Sequence, residues 1–116
     1  MSNPHLCPVC EKHIFNDEYE YCPICHWQSD FVQHKDLDYW GGANELSVNE
    51  AKIYYQLSLC KEKRKQLKII SDKNYNNLCE IHQKYQDINY HIDGDKIHAE
   101  LCKEHDEFVR QLKELQ

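Results

Sequence analysis

Long apolar runs are missing from this sequence. No stretch approaches the roughly 20 consecutive apolar residues of a membrane-spanning helix, so no membrane partner is expected. The first residues are polar and Cys7 follows almost at once, so no secretory leader is expected and a cytoplasmic location follows. Glycine is scarce, with three in the chain. Two of them form the pair Gly41-Gly42, but the lysine and hydroxyl of a phosphate-binding loop do not accompany them. Histidine is plentiful, yet the His-Glu-x-x-His order of helical metalloproteases is absent. Apolar material for a core is also thin. Charged residues make up 29% of the 116 residues, and the mean hydropathy is −0.87. A core this small needs a staple.

The staple is written between Cys7 and Cys25. Cys7-Pro8-Val9-Cys10 is followed, eleven residues later, by Cys22-Pro23-Ile24-Cys25. Two Cys-x-x-Cys pairs at this separation can carry four thiolates to the corners of a tetrahedron, the geometry of a closed structural zinc site. Each proline fixes its own φ, so less chain entropy is lost when the turn closes on a metal. The expected ligands are therefore Cys7, Cys10, Cys22 and Cys25. A redox Cys-x-x-Cys usually stands alone at a helix start, and two matched copies argue against it. Iron in a rubredoxin-like cage stays open chemically. Such knuckles usually carry glycine after the second cysteine, whereas here Glu11 and His26 stand there, and zinc is preferred. Metal binding by such a module is itself folding free energy, on the order of 10 kcal/mol. Cys60, Cys79 and Cys102 fall in helical sequence and read as small packing residues. Seven thiols, four of them assigned to metal, suit a reducing compartment.

Charge is unevenly spread. From residue 1 to residue 46 two basic residues (Lys12 and Lys35) face eight acidic ones, a balance of −6, while the remainder is neutral. A phosphate backbone would be repelled by the first part. A basic protein partner would be attracted and steered. Asp30, Asp36, Asp38, Tyr39 and Trp40 are the candidate partner-binding residues on this side. The basic cluster over residues 61–68 (Lys61, Lys63, Arg64, Lys65 and Lys68) supports an alternative, a nucleic-acid-binding or regulatory role. Its plainer reading is a solvated helical face.

The fold class expected is small α+β. A zinc-ribbon-like module with a short β-hairpin (residues 1–46) precedes a helical extension (residues 47–116). Phe15 and residues 19–21 flank Asn16-Asp17-Glu18 and suit two short strands around a turn. Trp27, Phe31, Val32 and Trp40 are expected to pack over the metal, and residues 28–38 form an irregular wrap. His5, His13, His26 and His34 are expected beside the site or at the surface, not as ligands. Gly41-Gly42-Ala43-Asn44 reads as a turn needing positive φ or close approach. Ser47-Val48-Asn49-Glu50 is a capping box that starts a helix at Val48.

Ile53, Leu57, Cys60, Leu67 and Ile70 keep helical spacing, interrupted by Arg64, and Leu78, Ile81, Tyr85, Ile88 and Ile92 continue it. The pattern leaves open whether residues 48–91 form one helix or two, with Ser71-Asp72 as a candidate cap. Asp93-Gly94-Asp95 reads as a stop and restart. Ile97, Leu101, Phe108, Leu112 and Leu115 then line another face, so an antiparallel helical hairpin is expected. Its apolar stripe could also pair two copies into a homodimer. His82, His91, His98 and His105 read as solvated.

The stretch from Tyr21 to Trp27, then Val32-Gln33, then Gly41 through Ala51, resembles the bacterial cysteine-rich CPCC family. The likeness covers roughly residues 6 to 57. It departs at Val9, where the family often has a cysteine. A tetrahedral site needs only the other four, so no ligand is lost. The resemblance implies a small zinc-binding protein, with a loose association to immunity proteins of interbacterial toxin systems.

The function expected is that of a non-catalytic zinc-binding protein-interaction module, one that neutralises a basic toxin domain. A catalytic metal would need an open coordination position, and no spacing here leaves one.

Overall fold

The computed structural model describes residues 4–86 and 90–116, with the side chains of 90–93 excepted. The chain divides into two compact units, one ending at Leu59 and the next beginning at Cys60. Among the described residues no helix is long and apolar enough to cross a membrane.

The first unit is built on two short reversals. Strand β1 (His5–Leu6) pairs antiparallel with β2 (Ile14–Phe15), with His5 opposite Phe15 and Leu6 opposite Ile14. The first cysteine knuckle is the loop between them, and Cys7 N–H donates to the His13 carbonyl at 2.8 Å behind it. The second knuckle repeats the arrangement. Cys22 N–H donates to the Trp27 carbonyl at 2.8 Å, and Tyr21 bridges Gln28. The hairpin expected between the knuckles is thus wrapped around the first one, and residues 19–21 pair forward with 28–30. The physical reason is local: each Cys-x-x-Cys reverses the chain by itself, so its flanks meet directly. Asn16 and Asp17 still make a turn, held by their N–H groups on the Glu20 carboxylate.

Residues 31–35 are not an irregular wrap. They form helix α1 (Phe31–Lys35), whose N-terminal amides at Val32 and Gln33 are accepted by Asp30. A capping carboxylate satisfies donors that a helix this short cannot satisfy itself. Gln33 is fully buried and closes the following loop. Its amide nitrogen lies 3.1 Å from each of the Tyr39, Asn44 and Leu46 carbonyls, and its oxygen accepts from the Asn44 backbone and side chain. Both glycines of the turn have a reason. Gly41 sits at φ +81°, and a β-carbon at Gly42 would lie 2.7 Å from Asp30 Oδ2 and 3.1 Å from Gln33 Cδ.

Helix α2 (Val48–Leu59) starts with the capping box expected: Glu50 N–H donates to Ser47 Oγ at 3.1 Å and Ser47 N–H to Glu50 Oε1 at 2.9 Å. The core of this unit joins Cys7, Val9, Cys10, Phe15, Cys22, Trp27 and Val48, with Cys25, Ala51 and Tyr55 packed against it. Phe31 and Val32 were expected here too, but they are exposed. Asp30 and Gln33 turn the other face of α1 inward.

The second unit is a helical hairpin of α3 (Arg64–Lys84) and α4 (Tyr90–Leu115). Asn77 bonds Glu104 and Lys84 bonds Glu100, so the helices run antiparallel. Leu67, Ile97, Phe108, Val109 and Leu112 are buried. The question of one helix or two is settled by a break at residues 60–63. Ser71-Asp72 lies inside α3. Gly94 does not stop a helix but lies within α4. Glycine in a helix interior costs about 1 kcal/mol, which an apolar face repeated along α4 outweighs. The chain reverses earlier, after Lys84; Ile88 and the side chains of His91, Ile92 and Asp93 lie outside the described residues. His105, expected in solvent, is buried on the inner face of α4, one turn before Phe108 and Val109.

Gln33→Leu would keep the volume and strand the carbonyls of residues 39, 44 and 46. A loss of about 3 kcal/mol from the first unit is expected. Both tryptophans lie in that unit, so denaturant unfolding followed by their fluorescence reads it directly.

Candidate metal centre

The four knuckle sulfurs meet. Cys7, Cys10, Cys22 and Cys25 place their Sγ atoms all within 4.8 Å of one another. Cys7 and Cys25 are 3.5 Å apart, and Cys10 and Cys22 are 3.6 Å apart. These separations are far beyond a sulfur–sulfur bond of about 2.05 Å. They lie close to the edge of about 3.8 Å expected for a tetrahedron with metal–sulfur bonds near 2.3 Å. Cys7, Cys10 and Cys22 are buried and Cys25 is half-buried.

The knuckles are held ready for this. Glu11 N–H donates to the Cys7 carbonyl at 3.0 Å, and His26 N–H donates to the Cys22 carbonyl at 2.9 Å. Each bond brings the residue after the second cysteine into the left-handed region, with φ +58° at Glu11 and +67° at His26. Ile24 and Cys25 turn their N–H groups toward Cys22 Sγ, at 3.4 and 3.5 Å.

The electrostatics suit a cation. Burial pushes the Cys7 thiol up, and burial pushes Cys25 up further, reinforced by its Cys7 neighbour. Burial also works against a thiolate at Cys22, yet the N–H groups of Cys25 and Ile24 outweigh it and bring that thiol down to about 7. A cluster of four sulfurs cannot ionise fully in this space without a positive charge among them. The donor set, the separations and the burial fit one tetrahedrally bound metal ion, and it would supply the attraction that keeps the knuckles together. The geometry does not choose between metals.

Val9, at the position of the departure from the family pattern, is buried in the core and packs there. None of the nearby histidines joins the sulfurs. His5 Nε2 lies 3.0 Å from Ser29 Oγ, and His13 pairs with Glu20 at 2.8 Å. His34 Nε2 accepts from the indole N–H of Trp27 at 2.9 Å. That ring packs among His5, Phe15 and Trp27.

The candidate partner residues are differently placed. Asp30 is buried, with Oδ1 capping α1 and Oδ2 accepting from Ala43 N–H, so its role is internal. Asp36 accepts from Asp38 N–H, and Asp38 accepts from the side chain of Asn49; both are exposed. Tyr39 is exposed and Trp40 is half-buried. Gln33 is the residue that sequence reasoning missed. An isolated polar residue in a stretch without periodicity carries no local signal of burial.

Two outcomes follow. Glycine at position 11 or 26 would relieve the left-handed strain, so Glu11→Gly and His26→Gly should each stabilise the first unit by about 1 kcal/mol, read by denaturant unfolding. Burial, and then the facing His5, hold His34 below its ordinary 6.5. The fold therefore favours the neutral ring. Its contribution is present above pH 6.5 and is lost as the pH falls through the lower folded value. An NMR titration should find the His34 ring protonating below 6.5.

A protein-family model described as "Cysteine-rich CPCC" matches residues 5–75. The match extends beyond the resemblance over residues 6 to 57 and into α3. No curated protein and no solved structure matches the chain. With the matched residues spanning both knuckles, the Gly-Gly turn and the capped helix, the chain belongs to the cysteine-rich CPCC family.

Proposed function

We propose that this is a non-catalytic zinc protein whose metal-pinned acidic unit docks a basic protein partner. The observation that carries it is the closed sulfur set. Four thiolates complete a tetrahedron and leave no position for water or substrate, which is the arrangement of a structural ion. Zinc suits a structural role because it is redox-inert and binds four thiolates tetrahedrally.

What the frame would present is negative charge. Two lysines against eight carboxylates over residues 1–46 favour a partner rich in lysine or arginine. Asp36, Asp38 and Tyr39 stand exposed on the loop after α1, beside Trp40. A basic toxin domain has the matching chemistry, and the module would neutralise it as an immunity protein does. Nucleic-acid binding through residues 61–68 is the weaker reading, since Lys68 already pairs with Asp72 at 3.0 Å. A gel shift that weakens with added salt would favour it instead.

Metal analysis of the purified chain should find one zinc ion; a coloured, iron-containing protein would overturn the choice of metal. Chelation should collapse the first unit, shifting tryptophan emission, while circular dichroism from α3 and α4 largely persists. Acid should release the metal as protons compete for the four sulfurs. A variant such as Cys10→Ser that still turned over a substrate, or lost turnover without unfolding, would overturn the non-catalytic reading.

A further inference from the structure

Two exposed tyrosines lie on the second knuckle's ribbon. Tyr19 is 59% exposed and Tyr21 is 64% exposed. Backbone bonds from Tyr19 N–H to the Ser29 carbonyl and from Ser29 N–H to the Glu20 carbonyl, with the Tyr21–Gln28 bridge, hold this segment beside residues 28 and 29. Glu18 lies at the same edge, its Oε1 accepting from Phe31 N–H at 3.0 Å. Phe31, at the start of α1, is itself 58% exposed, and the two ribbon tyrosines lie in a segment that carries Asp17, Glu18 and Glu20.

Tyr19 is held at φ +62°. A bulky side chain seldom occupies that region, and glycine would occupy it without strain. The strain is not offset by packing, because most of the side chain is in solvent. Whatever the ring contributes lies outside the unit's own stability.

The same unit shows what its rings can hold. Lys35 Nζ sits 4.3 Å from the centre of the Phe31 ring, and Lys12 Nζ sits 5.9 Å from that of Tyr55. Both lysines of residues 1–46 are thus placed over aromatic faces. Among the described residues, no cation lies over Tyr19 or Tyr21.

We infer that Tyr19 and Tyr21 form the docking surface for a basic polypeptide segment, whose lysine or arginine side chains stack on the two rings within the field of the surrounding carboxylates. This rests on the acidic-face reading above and relocates its centre from residues 36–40 to the knuckle ribbon. The rings supply geometry that the carboxylates alone do not: a cation over a ring face is attracted by the quadrupole, and arginine adds planar stacking.

The test uses the zinc-loaded full chain and a fluorescent peptide of alternating arginine and glycine, with a glutamate–glycine peptide and a thymidine oligonucleotide alongside. The arginine peptide should bind in a salt-sensitive manner and the other two should not. Tyr19→Gly with Tyr21→Ser should weaken it roughly tenfold. Tyr19→Phe with Tyr21→Phe, which keeps both rings, should retain the affinity. Tyr19→Gly alone should raise the melting midpoint of the first unit by roughly 5 °C while weakening binding, an opposition that a purely structural tyrosine would not produce. Zinc content and tryptophan emission check that each variant is folded. Full affinity in the glycine–serine variant would overturn this surface and leave the acidic-face reading standing. Failure of the wild-type chain to bind the arginine peptide would overturn both. Tighter binding of the oligonucleotide would replace a basic segment with nucleic acid as the ligand.

Discussion

Four sulfur atoms confined within 4.8 Å of one another set the terms for the first unit. Burial and mutual proximity oppose their ionisation, yet a ligand thiolate must be ionised. A cation among them would resolve that conflict, and it would tie together two reversals already joined by the His5–Ser29 and His13–Glu20 bonds and a shared core. The apolar shell around the sulfurs is small: one valine in the first knuckle, Phe15, Trp27 and Val48, with Tyr55 beside them. That shell buries Cys7, Cys10 and Cys22, leaves Cys25 half-buried, and is too thin to hold the unit alone. The sulfur cluster and the core are therefore one structure.

Around that centre the loops are organised by polar groups. Asp30 caps α1 with one oxygen and reaches Ala43 with the other, and Gln33 gathers carbonyls from three separate loop positions. Gly42 allows both side chains to approach the backbone closely. A buried network with its partners in place confers rigidity on a segment without regular structure. It also delivers the chain to Ser47, where the capping box begins α2. The acidic character of the unit is thus divided. Asp30 acts inside, Glu18 and Glu20 hold turns from the surface, and Asp36 and Asp38 stand in solvent. All bear on the field around the module, but the exposed ones dominate it at the surface.

The helical unit follows a different rule. Its stability comes from an amphipathic pair meeting along their length, with Leu67 on α3 and Ile97, Phe108, Val109 and Leu112 on α4 withdrawn from water. Ion pairs such as Lys84 with Glu100 lie at the surface, where each is worth under about 1 kcal/mol. They set the register more than the stability.

The sequence alone determined the features that rest on spacing and on local chemistry. Two Cys-Pro-x-Cys turns can only point their thiols inward, a serine three residues before a glutamate caps a helix, and apolar residues at helical spacing imply a packed face. The Gly-Gly pair announced a tight turn for the same reason: Gly41 takes a positive φ, and a β-carbon at Gly42 would collide with Asp30. Tertiary structure decided what depends on neighbours distant in the chain. The burial of Gln33 and Asp30 follows from carbonyls and amides up to thirteen residues away, so neither residue carries a local mark of it. Helix α4 runs through Gly94 because pairing with α3 outweighs a cost that, read locally, looked like a stop. The second ribbon pairs 19–21 with 28–30 because the knuckle folds its own flanks together, and that ribbon sets Tyr19 and Tyr21 in solvent. Short-range geometry is carried by the residues themselves, whereas burial is a property of what the folded chain brings to them.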